Sequence, residues 1–150
     1  MEVFRITREK HAKSLTASGV SNRWNKDNQF VIYTGEHRSL STLENVVHLH
    51  IMPVVKFAVM VISIVDDESL FKKIQIKDLP PDWRTEAQYP YLQNIGNEWY
   101  TNGESLVLQV PSIIIPQEHN YVINTVHPDF KKMVSLIRNE DYFWDDRLFR

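Results

Sequence analysis

The chain has 150 residues, of which 43% are hydrophobic and 24% charged, so it can bury one core and lacks the composition of a disordered chain. Its 17 basic and 19 acidic residues give a formal net charge of -2, which makes nucleic acid an unfavourable direct partner. The absence of cysteine excludes disulfides, a catalytic thiolate and thiolate zinc sites.

The first third of the chain predicts two strands and two helical stretches. Val3 to Ile6 is typical of a short strand, and a polar helical stretch around Glu9 to Leu15 and a loop from Ser18 to Asn28 follow it. Phe30 to Thr34 is β-branched and aromatic, which favours a second strand. Apolar residues then recur at helical spacing and predict a helix. They are Leu40, Leu43, Val47 and Ile51.

The middle of the chain predicts two more strands. Residues Phe57 to Val65 are apolar throughout, as in a central strand covered on both faces, but are too few to cross a bilayer. Lys72 to Ile76 alternates like a half-exposed strand that Pro80 and Pro81 bring to an end. Because the N-terminus also lacks the apolar stretch of a secretory signal, we expect a soluble, cytoplasmic protein.

Two further helices and a strand are predicted in the last third. One helix has the apolar stripe Leu92, Ile95 and Trp99 and closes near Gly103, a residue suited to the left-handed position after a helix. Leu106 to Val110 forms the next strand. Asp129 is placed to cap a third helix, whose stripe is Phe130, Met133, Val134 and Ile137. Without repeats or linkers, the pattern predicts one α+β domain over residues 1–150.

Glu44 lies on the apolar stripe of the first predicted helix, four positions after Leu40 and three before Val47. Its carboxylate should therefore point to the buried side, where an unpaired charge is unfavourable without a partner or a function. The alternative is structural, because Ser41 to Glu44 also fits a capping box.

Two other segments carry polar groups in unusual settings. Ser21 to Asn25 places the guanidinium of Arg23, which can bind phosphate bidentately, beside an indole and an amide, although an arginine in a loop is also an ordinary surface residue. Ser112 lies between Pro111 and Pro116, which confine the run to a strand edge or an irregular path. The alternative for Ser112 is a bend in which the hydroxyl bonds its own backbone.

Known metal and nucleotide motifs are not found. The His-x-His pair of His48 and His50 would point to different faces of a helix, and no third-ligand pattern accompanies it or His37. The four glycines form neither a Gly-x-Gly-x-x-Gly nor a Walker-type phosphate loop. We therefore predict no metal and neither a Rossmann nor a P-loop nucleotide site.

The order of several short motifs resembles the RES domain, which is named for its Arg, Glu and Ser. An Arg-Trp-Asn segment is followed by a Val-Ile-Tyr-Thr strand and a Leu-x-x-Leu-Glu helix, which places the family residues at Arg23, Tyr33 and Glu44, with Ser112 in Val-Pro-Ser. Further matching segments cover nearly the whole chain. They are residues 79–84, 110–112, 115–116, 120–124 and 127–130.

The resemblance implies a toxin of a bacterial type II toxin–antitoxin pair with a fold similar to ADP-ribosyltransferases, in which helices flank central twisted mixed or antiparallel sheets. It implies NAD as substrate, with no further cofactor, and a helix-turn-helix (Xre-type) antitoxin as partner. It makes Arg23, Tyr33, Glu44 and Ser112 catalytic, with Asn25 and Asn124 as further NAD contacts. A homodimer is compatible with it. Asn28 stands where the family often has glycine, but asparagine tolerates the left-handed conformation that such a turn needs.

Several functions remain open from the sequence. Water, phosphate or a protein side chain could accept the ADP-ribosyl group, and the chain could instead be a silent relative that only binds partners. The aromatic and charged tail, residues 142–150, is compatible with such a surface or with a last buried strand. An RNA-cleaving toxin using His48 or His119 is disfavoured by the acidic balance.

Overall fold

Seven strands form one mixed sheet in the computed structural model, which describes residues 1–150, and their order is β4-β5-β6-β2-β1-β3-β7. Neighbouring strands are antiparallel except for the parallel pair β4 and β5. The strands are β1 (Glu2–Arg8), β2 (Val31–Gly35), β3 (Phe57–Ile64), β4 (Phe71–Lys73), β5 (Val107–Pro111), β6 (His119–Asn124) and β7 (Val134–Tyr142). The helices are α1 (Arg38–Val46), α2 (Tyr89–Asn102) and α3 (Phe130–Met133). The predicted α+β class is confirmed.

Strand β3 is the most deeply buried element, because it pairs with β1 on one side and β7 on the other. All of its residues except Ser63 are buried, which confirms the central strand predicted from its apolar run. Both faces of the sheet are covered at this point. The 12–17 segment and α3 pack against one face, while α1 lies on the other beside the aromatic cluster around Trp144.

Strands β1 and β2 are joined at a single pair, Phe4 opposite Gly35, and then part. Two side chains of α1 form hydrogen bonds with backbone carbonyls of β1. Ser41 Oγ donates to Phe4 O at 2.8 Å, and Asn45 Nδ2 donates to Ile6 O at 3.3 Å. A Cβ at Gly35 would lie 2.5 Å from Ser41 Oγ, so glycine allows α1 to approach the sheet. The helix thus closes one side of a gap in the sheet.

Helix α2 confirms the prediction made from its stripe. Leu92 and Trp99 are fully buried, and the helix ends at Asn102 before Gly103, whose φ of 61° is left-handed. Helix α1 is shorter than its stripe predicted. It ends at Val46, and Val47 and Ile51 are exposed. No helix has both the length and the hydropathy needed to span a membrane.

The predicted third helix is wrong over most of its length. Helix α3 has only four residues, and Val134 begins the nine-residue strand β7. Pairing with β3 overrides the helical spacing, and Ile137 is the extra residue of a bulge, since Arg138 faces Val61 while Leu136 faces Ile62. The Asp129 side chain makes no capping hydrogen bond.

Two other predicted elements are shorter than expected. The helical stretch around Glu9 to Leu15 is a single 3-10 turn at Glu9–His11, and the strand predicted over Lys72 to Ile76 ends at Lys73, before a 3-10 turn that begins at Ile76. Residues 9–11 and 73–76 are mostly exposed, so little burial supports longer elements there, whereas Ala12 leaves the turn to pack in the core.

The C-terminal tail is neither a buried strand nor wholly a free surface. β7 ends at Tyr142, and Trp144 is buried with its ring edge-on to Phe57, Tyr142 and Phe149. Phe143, in contrast, is 86% exposed. One aromatic residue therefore fixes the tail to the sheet while its neighbour faces solvent.

Candidate active site

A cavity of about 390 Å³ opens where β1 and β2 part, between α1 and the start of α2. Its walls come from residues 4–7 of β1, residues 33–35 of β2 and the inner side of α1. The cavity brings together Arg23, Tyr33 and Glu44, three of the four residues predicted to be catalytic. Ser112 lies behind the wall and reaches the site through Glu44.

The Glu44 carboxylate is held from the sheet side by two donors on one oxygen. Ser112 Oγ donates to Oε1 at 3.0 Å and Asn120 Nδ2 donates to the same atom at 2.7 Å. Because α1 begins at Arg38 and the Ser41 hydroxyl bonds Phe4 O, the capping box considered for Glu44 does not form. The carboxylate is thus aimed at the cavity by groups from two other segments.

Ser112 is fully buried and its hydroxyl is saturated. It accepts hydrogen bonds from the backbone N–H groups of Ile114 and Ile115, both at 3.1 Å, so its own proton is directed to Glu44. The backbone bonding considered for Ser112 in the sequence is therefore present, and the same hydroxyl orients a carboxylate at the cavity. The catalytic and NAD-binding roles of Ser112 stay a prediction.

Tyr33 holds the segment that carries Arg23. Its hydroxyl accepts from the backbone N–H of Trp24 at 3.0 Å and donates to Asn25 Oδ1 at 2.7 Å. Burial is the main reason that the pKa of the Tyr33 phenol lies well above its usual range. The group is a neutral anchor, and its ring lines the cavity.

Arg23 lies in the cavity with part of its hydrogen-bonding capacity unused. Its guanidinium stacks over the ring of Tyr89, 5.1 Å from the centroid, and its buried Nη1 has no hydrogen-bond partner. Burial lowers the pKa of Arg23, although an arginine remains protonated at neutral pH. A half-buried cation with a free donor nitrogen is suited to an anionic or carbonyl-bearing ligand.

Helix α2 packs on the Arg23 segment at the level of the backbone. Gln93 Nε2 donates to the carbonyls of Asn22 and Asn25, at 3.0 and 3.2 Å. A Cβ on Gly96 would lie only 1.7 Å from Trp24 O, so the helix and the segment touch where only glycine fits. The position of Arg23 is therefore set by the core.

Asn25 and Asn124, the two additional NAD contacts predicted from the sequence, do not line the cavity. The Asn25 amide donates to the carbonyls of Val20, Lys26 and Gln29. Asn124 Oδ1 accepts from the Val126 N–H at 3.0 Å. Both amides stabilise loops, and their role as ligand contacts stays a prediction that this geometry does not favour.

Two cavity residues were missed by the sequence analysis. Tyr89 stacks on Arg23 and begins α2 just before Pro90, and Asn120 bonds Glu44 from β6. Strand alternation with the buried Val122 was the available signal for Asn120, since the two side chains share a face of the sheet. Nothing local distinguishes Tyr89 from other surface tyrosines.

The fold resembles that of a solved toxin–antitoxin complex. The crystal structure of the MbcT–MbcA complex of M. tuberculosis superposes with a TM-score of 0.69 over 95% of this chain and 84% of the matched chain, at 14% identity. At that identity the likeness shows the fold alone, a small α+β architecture found in a toxin–antitoxin complex.

Sequence comparison identifies the family. The RES domain model matches residues 2–145, so the chain belongs to the RES domain family. A relative named Toxin Res, from Photorhabdus laumondii subsp. laumondii, is 30% identical over 100% of this chain and 98% of its own length. Another, the Prs ADP-ribosylating toxin of Sphingobium sp. (strain YBL2), is 29% identical over 93% of this chain and 89% of its own length. The chain is thus a toxin of the RES class.

Proposed function

We propose that this chain is the toxin of a toxin–antitoxin pair and consumes NAD by cleaving the bond between nicotinamide and ribose. The observation that carries the proposal is the oriented Glu44 carboxylate in one cavity with the incompletely bonded Arg23. The name of the Sphingobium relative, an ADP-ribosylating toxin, supports chemistry at the same bond.

The reaction needs stabilisation of positive charge more than an acid. When the bond between ribose C1′ and the nicotinamide nitrogen breaks, its electron pair neutralises the cationic ring, which leaves as neutral nicotinamide. C1′ becomes an oxocarbenium-like centre. Glu44 would stabilise this centre electrostatically. An incoming oxygen nucleophile then bonds C1′ and releases its proton to solvent.

The other groups would bind and orient the dinucleotide. Arg23 would grip the pyrophosphate, whose oxygens satisfy its free Nη1, and so place C1′ beside Glu44. The ring of Tyr33 offers a flat face to nicotinamide, while its hydroxyl keeps the Arg23 segment in place. Ser112 acts through Glu44 by holding its orientation.

The test is nicotinamide release from NAD by the purified protein. We expect Glu44→Ala and Arg23→Ala to lower the rate on the order of a hundredfold or more, since each removes a charged group from the site. Glu98→Ala, at an exposed glutamate of α2, is the matched control and should retain the wild-type rate. Equal release by all four folded proteins would contradict the proposal.

The acceptor of the ADP-ribosyl unit distinguishes three versions of the function. Water gives ADP-ribose, phosphate gives a phosphorylated ADP-ribose, and a protein nucleophile gives a modified target. The name of the Sphingobium relative favours the protein acceptor as the second candidate. Mass spectrometry of the products with and without phosphate, and with a cell extract as acceptor, separates the three.

The proposed partner is a helix-turn-helix antitoxin of the Xre type. An antitoxin that closes the cavity should abolish nicotinamide release when mixed with the toxin in equal amounts. Full activity in the purified complex would contradict this mode of neutralisation. Sedimentation of the chain with and without its antitoxin tests the homodimer that the family resemblance makes plausible.

A further inference from the structure

One acceptor at the cavity has no donor within the protein. The side-chain oxygen of Asn120 is buried and accepts no hydrogen bond, although the nitrogen of the same amide donates to Glu44 at 2.7 Å. A buried carbonyl oxygen without a donor is unfavourable. Because Asn120 lines the cavity, a bound molecule that displaces the atoms covering this oxygen can supply the missing donor.

The orientation of this amide is fixed by its neighbours. The hydroxyl of Ser112 accepts from two backbone N–H groups and must donate to Glu44 Oε1, which makes that oxygen an acceptor. The Asn120 group that meets the same oxygen must therefore be its NH₂. A flipped amide would place two oxygens 2.7 Å apart, so the acceptor stays directed away from Glu44.

Two unsatisfied groups of opposite character thus lie in the wall of the cavity. Arg23 Nη1 is a charged donor, which suits phosphate, and Asn120 Oδ1 is a neutral acceptor, which repels phosphate and suits a hydroxyl or an N–H. Of these, the acceptor lies beside the carboxylate. A ligand with a phosphate near Arg23 and a sugar hydroxyl near Glu44 satisfies both groups.

We infer that Asn120 determines specificity by accepting a hydrogen bond from a hydroxyl of the nicotinamide ribose. The inference rests on the proposed function, since it takes NAD as the ligand. Asn120 has two tasks: its nitrogen fixes Glu44, and its oxygen reads a hydroxyl next to the scissile bond. A ligand that lacks this hydroxyl leaves the oxygen buried and unsatisfied.

The test compares the binding of NAD with that of analogues lacking the 2′- or 3′-hydroxyl of the nicotinamide ribose. Calorimetry is done on the full chain carrying Glu44→Gln, which stops turnover. That substitution keeps a carbonyl oxygen for Asn120, because the Ser112 hydroxyl selects an acceptor at that position. Asn120→Ala is then added, and Asn102→Ala, at an exposed asparagine at the end of α2, is the matched control.

With Asn120 present, we expect one of the two analogues to bind about tenfold more weakly than NAD. With Asn120→Ala, that penalty should fall to less than about twofold, because the same interaction has already been lost. The Asn102→Ala protein should keep the full discrimination. Thermal unfolding of each variant verifies that it is folded, and the comparison of analogues with Asn120 intact stands independently of that substitution.

The inference is overturned if neither hydroxyl matters, if the penalty is equal with and without Asn120, or if NAD does not bind. Nicotinamide release by the wild type is measured in parallel. If the wild type releases nicotinamide but binds NAD and both analogues equally, the role of Asn120 is disproved and the proposed function stands. If the protein discriminates between NAD and an analogue but releases no nicotinamide, the binding role of Asn120 stands and the cleavage is disproved.

Discussion

The Arg23 side and the Glu44 side of the cavity are built in different ways. On the Arg23 side, α2 touches the segment through Gly96, and the hydroxyl of the half-buried Tyr33 accepts from the backbone N–H of Trp24. On the Glu44 side, α1 fully buries only Leu40 and Ser41 and rests on β1 through two side-chain hydrogen bonds. The Arg23 side is therefore part of the core, whereas the Glu44 side packs on the surface of the core.

This difference continues beyond α1. The chain that leaves the helix exposes a series of apolar side chains before β3 begins. They are Val47, Ile51, Met52, Val54 and Val55. Few contacts hold such a segment in place, so its local stability should be low. Arg23 is thus held by the core, whereas the orientation of the Glu44 carboxylate depends on hydrogen bonds from Ser112 and Asn120.

The strongest way to break the Arg23 side is Gly96→Ala. The new Cβ would lie 1.7 Å from Trp24 O, so the helix and the segment must separate. Overpacking against a backbone carbonyl at this distance should cost about 3–4 kcal/mol, and the helix preference of alanine offsets roughly 1 kcal/mol of it. We therefore expect the free energy of unfolding to fall by about 2–3 kcal/mol. Urea unfolding measures it. Asn94→Ala, on the exposed face of the same helix, should be near neutral, and equal stability of the two variants would disprove the close contact.

Tyr33→Phe removes one hydroxyl and leaves two partners unsatisfied, the Trp24 N–H and Asn25 Oδ1. We expect a loss of about 2 kcal/mol in the free energy of unfolding, together with weaker NAD binding because Arg23 loses its support. Chemical unfolding and calorimetry measure these effects. The same change at the exposed Tyr91 is the control, and a Tyr33→Phe protein as stable as that control would contradict the anchoring role.

Tyr33 also predicts a pH dependence. Burial raises the pKa of its phenol, so the folded state keeps a proton that the unfolded chain releases above about pH 10. Its contribution to stability is complete below that pH and is lost as the pH rises through the folded-state pKa. Unfolding curves from pH 8 to 11 should fall less steeply for Tyr33→Phe than for the wild type. Parallel curves would be evidence against the burial effect.

On the Glu44 side, Ser41→Ala should lower the free energy of unfolding by about 1 kcal/mol, because Phe4 O loses the hydroxyl that donates to it at 2.8 Å. The effect on nicotinamide release should exceed the effect on stability, since α1 carries Glu44. Ser39→Ala, at an exposed position of the same helix, is the control. Losses of equal size in both variants would argue against this attachment.

The smallest effect belongs to the exposed segment. Val54 is fully exposed, so Val54→Ser should change the free energy of unfolding by no more than about 0.5 kcal/mol. Thermal unfolding checks this value. A clear destabilisation would show that the segment is packed and would remove the contrast between the two sides.

Local sequence patterns predicted the elements whose buried residues form a clear apolar run or stripe. β3 and α2 could be predicted from an apolar run and from a stripe followed by Gly103, because both patterns are visible without knowing which segments they contact. The helix predicted after Asp129 was wrong, because its apolar spacing also suits a bulged strand. Pairing with β3 makes this stretch a strand. Pairing between distant segments cannot be read from spacing.

The site shows the same limit. The helical stripe pointed Glu44 inward, and the carboxylate does face the cavity, although Val47 on that stripe is exposed. Ser112 drew notice from the family pattern, but its bond to Glu44 joins residues 68 positions apart. Asn120 and Tyr89 become visible only when strands and helices are assembled.

The single pair that joins β1 and β2 divides the sheet into two blocks, β4-β5-β6-β2 and β1-β3-β7. Arg23, Ser112 and Asn120 belong with the first block, while α1 lies against the second through Ser41 and Asn45. A ligand in the cavity would act as a bridge between the blocks. A bound ligand should then slow hydrogen exchange in strands that it does not touch. One block could open only after the ligand had lost its contacts with the other block.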